Sequence, residues 1–242
     1  MSVLTIGYAI LLYAASALLI GGVAAKVRAY ARTPAPLRIP TTPAPTSRSG
    51  VAWRVAREVV LFESLFKSNK WTWLFGLLFH GGLLLVLLRH LRYFIEPVWA
   101  VVAWLQPFGV YAGFAMVVGL AGLWSRRLAV TRVRCISTPS DHLMLALLVA
   151  IALSGLAIKY VARTDIVAVK AFILGLVYFD WQPLPPDPLL LAHLFLVAVL
   201  MAVFPASKLL HAAGIFFSPT RNQRDDAREV RHVARWAAAL DD

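Results

Sequence analysis

The sequence contains little cysteine and little charge. Cys135 is the single cysteine among 242 residues, which excludes a disulfide framework, a cysteine-ligated zinc site and an iron-sulfur cluster held by this chain alone. Charged residues make up 15% of the chain against 60% hydrophobic residues, a balance that soluble globular domains do not reach. The composition therefore excludes a cytosolic enzyme and indicates an integral membrane protein.

Five apolar stretches are long enough, at about 20 residues, to cross a membrane as helices. They run from Val3 to Ala25, Trp71 to Ile95, Phe108 to Trp124, His142 to Tyr160 and Leu189 to Ile215. A further stretch, Asp165–Phe179, is too short and contains Lys170, so we predict an interfacial or re-entrant helix. The expected fold class is an all-α integral membrane protein with five transmembrane helices.

Basic residues are concentrated on one side of these spans. The segment Lys26–Lys70, the loop Ser125–Asp141 and the tail from Lys208 hold nine, four and six Lys or Arg residues, together 19 of the 24. Loops rich in Lys and Arg stay in the cytoplasm, so the N-terminus is predicted outside and the C-terminus inside. The formal charge of +12 is accordingly attributed to orientation, and no nucleic acid partner is expected.

The domain boundaries follow from these spans. Residues 1–215 are predicted to form the membrane domain and residues 216–242 a cytoplasmic tail. Within residues 26–70, a Pro- and Thr-rich linker over Thr33–Ser49 precedes an amphipathic surface helix over Val51–Phe66. Residues 161–188 are expected to form a periplasmic loop.

Five of the six histidines lie in or at the edge of spans, namely His80, His90, His142, His193 and His211. A single intramembrane histidine would be explained by an interhelical hydrogen bond, so only the positions of several histidines together indicate a cofactor. Because the second span runs outward and the fifth inward, His80 and His211 are predicted near the cytoplasm, and His90 and His193 near the outside. Neutral imidazole coordinates iron, so these two pairs favour two bis-histidine haems forming a transmembrane electron path.

The two spacings of the paired histidines differ. His193 and His211 are 18 residues apart, five whole turns, and are predicted to share one helix face about 27 Å apart. His80 and His90 are 10 residues apart, which places them about 15 Å apart along the helix and about 80° apart around it. Pro205 is expected to bend the fifth span and absorb part of this mismatch.

The residues around these histidines resemble a known family. Similarity to the last span of the gamma subunit of respiratory nitrate reductase, a five-span dihaem cytochrome b, lies in Pro186-Asp187-Pro188, His193 and Phe204-Pro205-Ala206-Ser207-Lys208-Leu209-Leu210-His211. Ala206 departs from the aromatic residue expected there. By this resemblance His80 with His211 holds one haem b on the cytoplasmic side, and His90 with His193 holds a second haem b on the outer side.

Three further motifs are similar to the M subunit of the Dsr electron-transfer complex, which is associated with dissimilatory sulfite reductase. They are Phe66-Lys67-Ser68-Asn69-Lys70-Trp71-Thr72-Trp73, Leu88-Arg89-His90-Leu91-Arg92 and Ile136-Ser137-Thr138-Pro139-Ser140-Asp141. This resemblance implies a bacterial inner membrane, menaquinone or ubiquinone, and a cytoplasmic iron-sulfur subunit like the K subunit acting on thiol or persulfide chemistry. It also implies membrane and periplasmic subunits like the P, J and O subunits.

Four further polar side chains are candidate cofactor-binding residues. Arg89 and Arg92 beside the outer site and Lys208 beside the inner one are suited to pair with haem propionates, although helix-end snorkelling explains them equally well. His142 has three open interpretations: a structural residue, a quinone contact, or a replacement haem ligand. Asp141 is predicted to cap the fourth span.

The function favoured by these features is a membrane electron-transfer subunit that links a quinone to a cytoplasmic iron-sulfur partner. A nitrate-reductase-like or heterodisulfide-reductase-like cytochrome b subunit and a histidine-relay transporter are the alternatives. A relay requires carboxylates in the spans, which the sequence offers only at end positions such as Asp141. The quinone is expected at the outer haem, beside His90 and the connection Gln106–Tyr111, with an inner site at His142 as the alternative.

Overall fold

The computed structural model describes residues 1–34 and 43–226, and over these residues every regular element is helical. Eleven α-helices lie in the described part of the chain: α1 Val3–Arg32, α2 Arg48–Leu61, α3 Glu63–Ser68, α4 Lys70–His90, α5 Ala100–Ala129, α6 Thr131–Ile136, α7 Pro139–Ala157, α8 Ile166–Tyr178, α9 Pro188–Val203, α10 His211–Gly214 and α11 Pro219–Asn222. The all-α fold class is confirmed. Parts of the predicted linker and of the predicted tail lie outside the described residues.

Five helices are long and apolar enough to cross a membrane. They are Val3–Arg32, Lys70–Tyr93, Ala100–Ala129, Pro139–Ala162 and Pro188–Ala206, which confirms the predicted number of helices with the length and apolarity of a span. Helix α8 has 13 residues and therefore extends only about 20 Å, which is too short to span.

The third span begins earlier than the sequence predicts. It starts at Ala100 and includes Pro107 inside the helix, so Gln106–Tyr111 is not a connection between spans. The Gln106 side chain donates hydrogen bonds to the Val102 carbonyl at 3.0 Å and to the Arg89 carbonyl at 3.3 Å. The amide that suggested a loop is therefore satisfied within the packed helices.

Helices α4 and α5 approach each other at two glycines. A Cβ on Gly82 would lie 2.8 Å from the Ala112 carbonyl oxygen, and a Cβ on Gly119 would lie 2.6 Å from the Phe79 backbone nitrogen. Side chains at either position would collide with backbone. Small residues therefore allow this helix pair its close contact, as in other membrane helix interfaces.

Two apolar clusters hold the remaining helices. One joins α4, α5 and α7 through buried Phe79, Met116, Leu120, Leu148 and Ala152. The other joins α1, α8 and the start of α9 through buried Ala9, Val169, Phe172, Leu176, Leu184 and Leu190. In the second cluster, the Tyr13 hydroxyl donates to the Leu176 carbonyl at 2.7 Å. Helix α1 is thus fixed to the rest of the bundle.

The amphipathic segment before α4 is two helices rather than the single predicted one. Phe62 separates α2 from α3 and has a left-handed backbone conformation, with φ of 49°. Across this break, the Glu58 carboxylate accepts a hydrogen bond from the Ser64 hydroxyl at 2.8 Å and pairs with Arg221 at 2.9 Å. The turn is thereby tied to the chain beyond the fifth span.

The fifth span is interrupted between its two histidines. Helix α9 ends at Val203 and is followed by 3₁₀ turns over Phe204–Ala206 and Lys208–Leu210, with Ser207 extended between them. Pro205 has no N–H to continue the helix, and the Ser207 hydroxyl donates to the Phe204 carbonyl at 2.9 Å. The expectation that the two ligands share one face of a continuous helix is therefore wrong, and the 27 Å rise does not apply.

Candidate functional site

His80 and His211 meet on the side of the bundle away from the His90 end of α4, which we call the inner end. Their ring centroids are 5.9 Å apart and their planes are nearly perpendicular, at 88°. His80 comes from the middle of α4 and His211 from the first residue of α10. The Phe62 ring lies 5.0 Å from the His80 ring, so the left-handed turn between α2 and α3 covers this imidazole.

His90 and His193 lie toward the opposite end, which we call the outer end. His90 is the last residue of α4, and His193 lies in the second turn of α9. The structure thus brings His80 and His211 into ring contact and places His90 and His193 toward the same end of the bundle. The two histidines of the fifth span are carried by separate elements, because that span is interrupted.

Each of these four imidazoles uses its Nδ1 atom in a hydrogen bond. The Nδ1 atoms of His80, His90 and His211 lie 2.7 to 2.9 Å from carbonyl oxygens of Gly76, Val86 and Lys208, in the turn before each ring. A carbonyl only accepts, so these Nδ1 atoms carry the proton and donate. The lone pair is consequently on Nε2, the arrangement that metal-ligating histidines adopt.

His193 reaches the same tautomer through another helix. Its Nδ1 lies 2.9 Å from the Ser154 hydroxyl oxygen of α7. That hydroxyl donates its own proton to the Ile151 carbonyl at 3.0 Å, so Ser154 accepts from His193. The Nε2 atom of His193 is therefore also free to coordinate.

The inner pair fits a haem iron in both donor type and spacing. An imidazole nitrogen lies about 2 Å from a bound transition metal, so two rings on opposite sides of one metal have centres about 6 Å apart. The 5.9 Å between His80 and His211 matches this separation. Two imidazoles supply only two ligands, and a metal that brings the others, as iron does with its porphyrin nitrogens, suits the pair.

His142 differs from the four paired histidines. Its Nδ1 accepts a hydrogen bond from the Trp124 indole N–H at 3.1 Å. Because the indole nitrogen only donates, the Nδ1 atom of His142 is unprotonated and the neutral ring carries its proton on Nε2. Nε2 is then a hydrogen-bond donor rather than a metal ligand.

A buried carboxylate links three elements at the inner end. Asp141 caps the start of α7 by accepting from the Thr138 backbone N–H at 2.9 Å, which confirms the predicted cap. Lys208 lies 2.8 Å from the carboxylate, and Arg127 of α5 lies 3.7 Å away. Lys208 is therefore held on Asp141, three residues before His211.

The two outer arginines are held against α5. Arg92 donates to the Gln106 side-chain oxygen at 3.2 Å. The Arg89 side chain crosses Gly109, where a Cβ would lie 2.7 Å from the Arg89 Cδ atom. Both side chains are partly buried, next to His90, so positive charge is fixed beside the outer pair.

The family assignment follows from comparison with known proteins. The family model of the nitrate reductase gamma subunit matches residues 50–222, a range that contains all four paired histidines. The chain belongs to this family. The resemblance detected around His193 and His211 is thereby confirmed.

Two archaeal relatives of this gamma-family chain are similar over nearly its whole length. A protein of Archaeoglobus fulgidus named Hdr-like menaquinol oxidoreductase cytochrome b-like subunit is 36% identical over 272 residues, covering 94% of this chain and 82% of the relative. A protein of the same name from Archaeoglobus profundus is 36% identical over 274 residues, covering 93% and 80%. Because only 6–7% of the chain is left uncovered, the similarity extends into α1, which lies outside the family match.

Three side chains of the gamma-family site are not singled out by the sequence reasoning. Ser154, Trp124 and Phe62 contact His193, His142 and His80 respectively. A hydroxyl in the middle of an apolar span is a detectable signal, since hydrocarbon offers it few partners. Nothing in the local sequence indicates that Phe62 ends a helix and turns toward His80, because that contact depends on tertiary packing.

Proposed function

We propose that this chain is the dihaem cytochrome b subunit of a membrane-bound menaquinol oxidoreductase of the Hdr-like type. In this role it passes electrons between the quinone pool and a cytoplasmic iron-sulfur subunit. The observation that carries the proposal is the pairing of four imidazoles in which Nδ1 is hydrogen-bonded and Nε2 is left to coordinate. The names of the two relatives support the same activity.

The four histidines would hold two haem b groups, one between His80 and His211 and one between His90 and His193. When bound, haem supplies one-electron redox chemistry that no side chain of these spans provides. Because two histidines would hold each haem, each site would be suited to electron transfer rather than to binding a substrate at iron. The chain itself fixes ring orientation through the Nδ1 hydrogen bonds and excludes water through its apolar helices.

Cationic side chains support both sites. Arg89 and Arg92 are proposed to pair with propionates of the outer haem, where little water screens the charges. At the inner haem Lys208 has the same proposed role, which it would share with its contact to Asp141. The Nε2–H of His142 can donate to a carbonyl oxygen, which favours a quinone contact or a structural role over ligation.

The proposed complex sits in a prokaryotic cytoplasmic membrane, with the N-terminus outside and the C-terminus inside. This proposed location is broader than the bacterial inner membrane predicted from the sequence, because both relatives are archaeal. The basic cytoplasmic surface would receive an iron-sulfur subunit of the Dsr K type with thiol or persulfide chemistry. Further subunits like the P, J and O subunits of the Dsr complex complete the proposed assembly.

We place menaquinol oxidation at the outer end, beside His90. Partly buried positive charge from Arg89 and Arg92 lies there, and a site at this end would release protons outside. Gln106 does not contribute a free amide, since its side chain already bonds Val102, Arg89 and Arg92. The alternative is an inner site at His142.

A histidine-relay transporter is the second candidate function, and the hydrogen bonds weigh against it. A relay passes protons through both ring nitrogens, whereas Nδ1 of His80, His90 and His211 donates to backbone carbonyls. A backbone carbonyl is a poor proton carrier because it accepts a hydrogen bond without a readily exchanged proton. These three rings are therefore suited to fixed coordination.

Haem content of purified chain and of single variants tests the proposal. Pyridine haemochrome analysis is expected to give two haems for the unaltered chain and one for His80→Ala or His211→Ala, with the same haem lost in both. His90→Ala and His193→Ala should lose the other haem, and His142→Gln, the matched control, should keep two. No haem in the fully supplied unaltered chain, or loss of one common haem from His80→Ala and His90→Ala, would contradict the proposal.

A further inference from the structure

We propose that Ser154 is a positioning residue that fixes the tautomer and orientation of His193 and lowers the reduction potential of the outer haem. The inference rests on the proposed function, because it concerns the haem held by His90 and His193. Ser154 lies on α7, a helix that contributes none of the four proposed ligands. Through Ser154, the fourth span thus contacts a proposed ligand of the outer haem.

The hydrogen bonds around Ser154 have a defined direction. The Ser154 hydroxyl donates to the Ile151 carbonyl at 3.0 Å and lies 2.9 Å from Nδ1 of His193. With its single proton directed to Ile151, the oxygen offers a lone pair to the His193 Nδ1–H. This chain of two bonds is cooperative, because a hydroxyl that donates becomes a better acceptor.

His193 differs from the other three paired histidines in the source of this bond. His80, His90 and His211 use carbonyl oxygens three or four residues earlier in their own chain segment. The His193 partner instead lies 39 residues away in sequence. The orientation of this one ring therefore depends on packing between α7 and α9, rather than on local helix geometry.

Gly155, the next residue of α7, gives the ring its space. A Cβ at this position would lie 3.3 Å from the Cε1 atom of His193, closer than side-chain carbons normally approach a neighbour. The imidazole therefore packs against the backbone of α7 beside the serine that bonds it. Ser154 and Gly155 together form the contact surface for the His193 ring. Ser154 accepts the hydrogen bond from Nδ1, and Gly155 leaves room for the ring edge.

The hydrogen bond from His193 to Ser154 would change the reduction potential of a bound iron. Donation from Nδ1–H to an acceptor makes the imidazole more basic and a stronger electron donor through Nε2. Stronger donation favours the ferric state and lowers the reduction potential. Removing the acceptor should therefore make the outer haem easier to reduce and leave the inner haem unchanged.

Redox titration and EPR of full-length variants test this inference without an activity assay. In Ser154→Ala the ratio of reduced to oxidised outer haem at a fixed potential should rise by up to about tenfold, equivalent to about 59 mV for a one-electron couple. Ser154→Thr retains a hydroxyl and should restore the original potential. Gly155→Ala keeps the hydroxyl but crowds the ring, so it should change the EPR signal of the outer haem.

Ser16→Ala serves as a control, and Ser154→Cys serves as a second test variant. Ser16→Ala removes the same atom from α1 and should shift neither haem. Should Ser154→Ala not accumulate in the membrane, Ser154→Cys places a weaker acceptor at the same position and should shift the potential in the same direction by a smaller amount. Selective loss of the outer haem from Ser154→Ala, with recovery in Ser154→Thr, would equally support a positioning role.

Two outcomes would overturn the proposed role of Ser154. An unaltered chain with two haems, together with a Ser154→Ala variant whose outer-haem potential and EPR signal are both unchanged, overturns the role of Ser154 while leaving the proposed function intact. An equal shift of both haems also overturns it, since Ser154 contacts only His193 of the four proposed ligands. Absence of haem from the unaltered chain would instead refute the proposed function itself.

Discussion

Lys208 contacts both carboxylate oxygens of Asp141 at 2.8 Å, and this pair joins the turn before His211 to the first turn of α7. The segment that carries His211 consists of short turns, so it lacks the continuous backbone hydrogen bonding that holds His193. Asp141 is buried whereas Lys208 is largely exposed. The carboxylate therefore provides a fixed point to which the segment that carries His211 is attached.

We predict that Lys208→Met selectively weakens binding of the proposed inner haem. The change leaves the Asp141 carboxylate with weaker compensation and frees the turn before His211. Release of the inner haem to an excess of apomyoglobin should accelerate by about tenfold, the scale of other indirect ligand-support effects. Lys67→Met, which removes the exposed ion pair with Glu63 in α3, is the control and should leave haem release unchanged. Equal acceleration for both haems would contradict this specific role.

The nearly perpendicular planes of His80 and His211 predict a distinct EPR signal for the proposed inner haem. Two rings that held one iron at this angle would leave two iron d orbitals close in energy, so the ferric ion would show a highly anisotropic low-spin signal. Oxidised protein at liquid-helium temperature provides the measurement, and His211→Ala should abolish that signal alone. An inner haem with a moderately anisotropic rhombic signal would show that its ligand planes are parallel.

Because α4 and α5 are in close contact, two neighbouring glycines of α4 should tolerate replacement by alanine to different degrees. Gly82→Ala would place a methyl group 2.8 Å from the Ala112 carbonyl oxygen, whereas a Cβ at Gly81 meets nothing within 4 Å. Overpacking of this kind costs about 1–3 kcal/mol, so Gly82→Ala should lower the thermal midpoint in detergent. Gly81→Ala should leave it unchanged or raise it slightly, since alanine favours the helix. Similar midpoints for the two variants would refute the close approach.

Asp187 gives the outer end a dependence on pH. Hydrogen bonds from Thr164, and then from the backbone N–H groups of Leu189 and Leu190, hold the pKa of Asp187 below its usual value. Because the folded-state pKa is the lower one, this stabilisation is complete above the ordinary aspartate pKa of about 3.9. It is lost as the pH falls through the folded-state value.

The Asp187→Ala variant tests this pH dependence. Removing the cap of α9 should cost about 1 kcal/mol at neutral pH, and the cost should shrink below pH of about 4. Thermal unfolding between neutral pH and pH of about 3 measures the difference. Asp187→Asn retains an acceptor and should behave like the unaltered chain at neutral pH. A constant difference between Asp187→Ala and the unaltered chain at every pH would contradict the role of the carboxylate.

The sequence predicts the spans well, because length and hydropathy alone decide whether a helix can cross a membrane. It also predicts the pairing of His80 with His211, which follows from chain direction and depth. The start of the third span at Ala100 is missed, since Gln106 and Pro107 together are typical of a loop. In the structure the Gln106 amide bonds backbone carbonyls of α5 and α4, a tertiary solution that no local pattern reveals.

The break at Ser207 marks another limit of sequence reasoning. Pro205 predicts a bend, but the end of helix α9 depends on more than proline. Buried Pro205 lies against Gly22 of α1, where a Cβ would lie only 2.6 Å from the Pro205 Cβ atom. A spacing of 18 residues therefore does not give the distance between His193 and His211, because the packed chain forms no continuous helix between them.

The interruption at Ser207 also means that the two histidines of the fifth span are held by different pieces of backbone. His193 lies on α9, whereas His211 lies on the short turns that lead to Arg221, which pairs with Glu58 of α2. A displacement of this surface would thus reach His211 directly, and would reach His193 only through the Lys208–Asp141 contact and α7. Under the proposed function, a docking subunit would therefore change the midpoint of the proposed inner redox centre more than that of the proposed outer one.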